Sequence, residues 1–192
     1  MADKYASYEA LRRAERENID YCIRIVRRES PAAIIAPHGG WIEPETSLVA
    51  EAIAGNVHSL YCFDGLRDRP HGDLHVTSTN FDEPQCVALV SECDQVIAIH
   101  GKAGRGMHHV EVGGLDAVLR EAVFRSLAAA GYAAEVVTSG TLAARSPLNI
   151  CNRGTRRAGV QLEITRGLRD ALRKDAASLR SFARAVQSVL SK

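Results

Sequence analysis

The sequence predicts an α/β sandwich in which a largely parallel sheet is covered by helices on both faces. Apolar runs of strand length, such as "PAAIIAP" and "QVIAIHG", recur along the chain. Segments with helical signals separate several of them, which forces crossover connections and parallel neighbours. The runs are close to continuously apolar, as strands buried on both faces must be.

Residues 6 to 19 read as a polar, charge-rich helix anchored by Leu11, followed by a strand at 21 to 26. A second strand at 31 to 37 ends in proline. A helix is expected over 44 to 55, with Pro44 in the first turn, where a missing N–H is harmless, and Gly55 at the exit. Next come a strand at 57 to 63, a polar loop at 64 to 73, a strand at 74 to 79 ("LHVTST") and a helix near 84 to 92. "QVIAIHG" is a strand, "HVEVGG" a strand or strand end, residues 115 to 131 a helix and 133 to 139 a strand. After a long loop through "RSPLNICNRGTRRAG", "VQLEIT" at 160 to 165 is a strand, and one or two helices close the chain.

The 192 residues fit one domain spanning the whole chain, without repeat or linker. At 46% hydrophobic and 24% charged, the chain has the composition of a globular protein and not of a disordered one. No run approaches the roughly 20 apolar residues of a membrane span, and the start lacks a secretory stretch, so a cytoplasmic protein is expected. Five cysteines, none spaced C-x-x-C, read as buried free thiols. A net charge of +1 provides no global field for nucleic acid or an anionic membrane. Any acidic ligand must meet local charge, of which Arg153, Arg156 and Arg157 are a cluster; the arginines and lysine further on line solvated helix faces.

Two strands deliver imidazoles to their tips, where ligand crevices of parallel sheets form. In "PHGGWIE" the glycines allow a turn that folds Glu43 back towards His38, and His100 of "AIHG" supplies a third ligand. A His, Glu, His set suits zinc with one position open to water. Glu45 competes with Glu43, and either acid could simply complement a helix dipole. "GVQLEIT" alternates, so Glu163 sits mid-strand, as a general base or as an ion-paired structural glutamate. Asn152 and Arg153 precede that strand, and the arginine fork, with Arg157 as a second contact, suits an acidic substrate; an exposed loop arginine without a role fits the spacing equally. His75, Thr77, Ser78 and Asn80 are polar groups that could line the pocket, or Ser78 and Asn80 could cap a helix. Cys151 as a nucleophile lacks any readable triad. His108 and His109 point to different sides of a strand, so at most one faces a site.

In order, "APHGGWIEPETS", "AIAG", "SLYCFDG", "LHVTSTNFDEP", "IAIHG", "VGG", "NICNRG" and "GVQLEITRGLR" resemble the phage and bacterial poly-γ-glutamate hydrolase family over about residues 20 to 170. The resemblance implies a three-layer fold with a mixed, mostly parallel sheet, similar to zinc carboxypeptidases. It implies a zinc enzyme cleaving γ-glutamyl amide bonds of an acidic, peptide-like substrate, with zinc on His38, Glu43 and His100. It also implies Glu163 as base, and Asn152 with Arg153 as carboxylate contacts. Two features depart from the pattern. Carboxypeptidases space the first two ligands H-x-x-E, whereas four residues separate His38 from Glu43, and Trp41 stands where a small residue is expected. An amidase for small acylated or γ-linked amino acids, or a non-catalytic metal- or acid-binding regulatory domain, are the alternatives.

Overall fold

The computed structural model describes residues 3–67 and 71–191. Its strands form one seven-stranded sheet: β1 (Tyr21–Val26), β2 (Ala32–Gly40), β3 (Ser59–Gly65), β4 (Gln95–Lys102), β5 (Val110–Gly113), β6 (Ala134–Val136) and β7 (Val160–Thr165). Their spatial order is β1-β3-β2-β4-β7-β5-β6. β1 runs antiparallel to β3 and β5 antiparallel to β7, and the other pairs are parallel, so the sheet is mixed.

Two separate apolar clusters sandwich it. On one face α2 (Thr46–Ala54), α4 (Ala117–Ala129), α5 (Arg166–Lys174) and α6 (Ala176–Gln187) bury Val49, Ile53, Val123, Leu127, Leu168, Leu172, Phe182 and Val186 against Ile34, Ile97 and Leu162. On the other, α1 (Tyr8–Ala14) and α3 (Pro84–Ser91) cover Ile35, Tyr61 and Phe63 with Tyr8, Leu11, Leu89 and Val90, joined by Phe81 from the loop before α3. Complete burial of one such side chain stabilises by roughly 1.5–3 kcal/mol, so the alternation along β2, Ile34 to one face and Ile35 to the other, anchors the central strand on both sides.

Four expectations shift. The first helix covers only Tyr8–Ala14: Ser7 caps it, and Glu15 already turns into the interior to accept from Tyr5 Oη. α2 starts at Thr46, because Glu45 has φ +75 and cannot be helical. The last strand before the long loop is three residues long, Ala134–Val136. Residues 74 to 79 are no strand: a 3-10 turn, His71–Leu74, leads into an extended stretch that joins no ladder. The loop expected over 64 to 73 falls partly outside the described residues. All five cysteines are free, and Cys62, Cys86, Cys93 and Cys151 are buried. Among the described residues no helix is long and apolar enough to cross a membrane.

Candidate metal centre

The crevice originates in a defect of the central strand. Pro37 removes a ladder donor from β2, and the register with β3 shifts between Ala36 and Gly39. Proline is tolerated inside a sheet at such a bulge. On the other side, β2 and β4 pair only as far as Ile35 and Ala98, while β4 stays paired with β7 up to Lys102 and Thr165. Beyond Ile35 the two strands part. His38 enters the gap from one wall and His100 from the other.

The chain then doubles back. Gly40 has φ +60, and a Cβ there would stand 2.2 Å from Gly65 O, so only glycine fits. Trp41 N–H donates to Gly65 O at 2.9 Å, and the turn closes with Glu43 N–H on His38 O at 2.9 Å. That bond returns the Glu43 side chain to the imidazole. The Thr46 hydroxyl donates to Glu43 O at 2.8 Å and ties the turn to α2.

His38 Nδ1 and His100 Nδ1 lie 3.1 Å apart, Glu43 Oε1 is 3.4 Å from the first and Glu43 Oε2 3.5 Å from the second. Ligand atoms about 2.0–2.1 Å from a tetrahedral zinc are about 3.3–3.4 Å from one another, so these donors fit that ion. The outer imidazole nitrogens are engaged as a metal site requires. His38 Nε2 faces Val76 O at 2.8 Å, which places the proton there and leaves Nδ1 a lone pair. His100 Nε2 is 3.3 Å from Ser78 Oγ, and Glu43 Oε2 accepts from Gly101 N–H at 2.8 Å. Burial disfavours the charge of Glu43, but the facing imidazoles outweigh it and hold the carboxyl well below its ordinary range. Burial also works against a charged His100, and the Glu43 carboxylate overcomes it and raises that imidazole.

His100 and Glu163 are register partners on β4 and β7, so their side chains share a face. Glu163 is 5% exposed and accepts from Gln161 Nε2 at 2.8 Å; Asn149 Nδ2 in turn donates to Gln161 Oε1 at 3.0 Å. Burial pushes the Glu163 carboxyl up, against the pull of His100. These residues line a cavity of about 320 Å³ together with Ser78, Thr77, Thr79 and Lys102. His75 forms part of the wall, its ring 4.0 Å from that of His38 and its Nδ1 held 2.6 Å from Asp3 Oδ1; burial, then repulsion from His38, lowers its pKa. His38, Glu43 and His75 form another group whose ligating atoms lie within 4.8 Å of one another, but His75 Nδ1 is already held by Asp3.

Several sequence candidates lie elsewhere. Arg153 is absent from the cavity wall: Nε donates to Leu148 O, Nη1 to Phe81 O and Nη2 to Thr79 O and Leu148 O. Its fork braces loops instead of facing the pocket. Asn152 is 1% exposed and holds Ala144 O, Ser146 O and the N–H groups of Leu115 and Gly159. Arg157, at φ +54, and Asn80 are exposed and line no part of the cavity. Glu45 turns to the opposite side and pairs with Arg173 at 3.0 Å. Trp41 lines that same far groove, with Arg24 and Leu66, and does not touch the cavity of His38.

Sequence reasoning missed Lys102, Gln161 and Asn149. Gln161 was findable, because on a strand it shares the face of Glu163 two residues on. A second His/Glu group, His109, Glu111 and Glu135, sits at the sheet edge. There His109 Nε2 is 3.0 Å from Glu135, and Glu111 accepts from Lys102.

A family model for poly-gamma-glutamate hydrolase matches residues 5–190. The chain is 39% identical over 165 residues to the SPbeta prophage-derived UPF0714 protein YoqZ of Bacillus subtilis (strain 168), covering 85% of this chain and 59% of that protein. It therefore spans about three-fifths of that relative's length. Its fold is similar to a structure of a bacteriophage poly-gamma-glutamate hydrolase, with a TM-score of 0.92 and 32% identity over 98% of this chain and 96% of the other. A zinc-free structure of YndL is similar too, with a TM-score of 0.90 and 31% identity over 98% and 97%.

Proposed function

The chain belongs to the poly-gamma-glutamate hydrolase family, and from that premise we propose that it hydrolyses γ-glutamyl amide bonds as a zinc enzyme. The observation that carries the reading is the convergence of His38 Nδ1 and His100 Nδ1, 3.1 Å apart, on the Glu43 carboxylate, whose Oε1 is 3.4 Å from the first and Oε2 3.5 Å from the second. These three residues would hold zinc. When bound, the ion lowers the pKa of water to about 7 and polarises the scissile carbonyl.

The chain's own residues do the rest. Glu163, aimed by Gln161 and Asn149, accepts the proton of the attacking water and passes it to the departing α-amine. A carboxyl raised by burial is the better proton acceptor for that work. Each residue of a γ-linked glutamate chain keeps one free α-carboxylate, so the site needs a cation. Lys102 is the cationic residue on the cavity wall, and although its ammonium also pairs with Glu111, its remaining donors would meet that carboxylate.

The test is zinc content by elemental analysis together with release of amines from poly-γ-glutamate and from short γ-glutamyl peptides, before and after chelation. One zinc per chain with chelator-sensitive cleavage is expected. Zinc without cleavage of either substrate overturns the catalytic reading, and cleavage that survives complete metal removal overturns the zinc reading.

A further inference from the structure

Behind the metal triangle lies a buried guanidinium that the reaction itself does not use. Arg169 of α5 is 3% exposed, and burial alone disfavours a charge there. Among the described residues its hydrogen bonds go only to main-chain carbonyls: Nε to Ile164 O at 3.0 Å, Nη2 to Lys102 O at 3.2 Å, and Nη1 to Pro44 O. Those carbonyls are not scattered. Pro44 follows Glu43, Ile164 follows Glu163, and Lys102 is two residues beyond His100.

The turn after β2, which parts from β4 beyond Ile35, is thus tied by one rigid fork to the β4–β7 pair, whose own ladder runs on to Lys102 and Thr165. Gly101 makes the approach possible, since a Cβ on it would stand 2.4 Å from Arg169 Cζ. The motif "HGK" therefore joins a ligand to a glycine that admits the clamp.

We propose that Arg169 is the positioning residue of the metal centre: its guanidinium holds the Glu43 turn at a fixed distance from His100 and Glu163, which the β4–β7 ladder already pairs, and so makes the donor set ready for zinc. The inference rests on the zinc reading above. A carboxylate partner would neutralise the cation equally well, but only a planar fork reaches carbonyls on separate segments at fixed mutual distances.

The test measures zinc affinity, by competition with a chromophoric chelator, in Arg169→Met, Arg169→Lys and Leu172→Ala. Leu172 lies on the same helix, is 1% exposed and packs in the apolar cluster, so its truncation lowers thermal stability without touching the carbonyls. Arg169→Met should weaken zinc about tenfold or more, the scale of changes in groups that orient metal ligands. Arg169→Lys, which keeps the charge and loses the fork, should fall between it and the wild type, and the visible spectrum of the cobalt form should change in both. Leu172→Ala should keep wild-type affinity despite its lower Tm. If Arg169→Met does not fold, Arg169→Lys decides. Wild-type affinity in the Arg169 variants, or a loss in Leu172→Ala matching theirs, overturns the positioning role. A wild-type protein that binds no zinc overturns the zinc reading instead.

Discussion

Two clusters of histidine and glutamate sit on this sheet, and they differ in what each group has for company. In His109, Glu111 and Glu135 every member is already engaged: His109 with Glu135, which is 57% exposed in its side chain, and Glu111 with Lys102. In His38, Glu43 and His100 the outer imidazole nitrogens are engaged, while both Nδ1 atoms face the Glu43 carboxylate. The difference teaches that proximity of ligand types is a weak signal. Burial, with outer partners that fix which lone pair points inward, is the stronger one.

The sharpest way to break the comparison is to remove one member from each side. His100→Ala should abolish zinc retention after dialysis and reduce hydrolysis to background, whereas His109→Ala should leave both at wild-type levels. Equal loss in both variants would erase the distinction. Next in size, Glu163→Gln should cut the hydrolysis rate by about 10²–10⁴ while one zinc per chain stays bound, as expected for loss of a general base. Near-normal turnover with zinc in place would remove Glu163 from the mechanism.

Smaller effects test the outer partners. Ser78→Ala deletes the hydroxyl 3.3 Å from His100 Nε2 and should weaken zinc about tenfold in a chelator competition. Lys102→Met should raise KM for poly-γ-glutamate by about tenfold and leave kcat within about threefold, the pattern of a lost ground-state contact. The smallest change belongs to the exposed cluster. Glu135→Gln should shift the unfolding free energy by no more than about 0.5–1 kcal/mol, because a solvated ion pair is worth little.

Much of this was legible in the sequence because strand tips announce themselves. The apolar runs that lead into His-Gly point to His38 and His100, although both strands continue past them, β2 to Gly40 and β4 to Lys102. The segment "LHVTST" shows the limit of the same logic. Its alternation is genuine, with Leu74, Val76 and Ser78 buried. Yet Val76 O faces His38 Nε2 and Thr77 N–H donates to Asp3, so no strand pairs with those groups. A period of two reports a buried side and says nothing about a ladder. Arg153 shows the converse limit: an arginine beside a strand start looks available until its donors are found on loop carbonyls. Spacing cannot reveal that, since the acceptors lie as far as 74 positions away.

The parting of β2 from β4 also has a kinetic side. Glu43 joins His38 through a local turn, but His100 arrives 62 positions later along the chain, and only once β4 has docked beside β2. An ion that recognises the complete triangle therefore has little to hold in a partly assembled chain. Saturating zinc should slow unfolding and leave the refolding rate nearly unchanged, making the metal a lock on the finished sheet and not a seed for it.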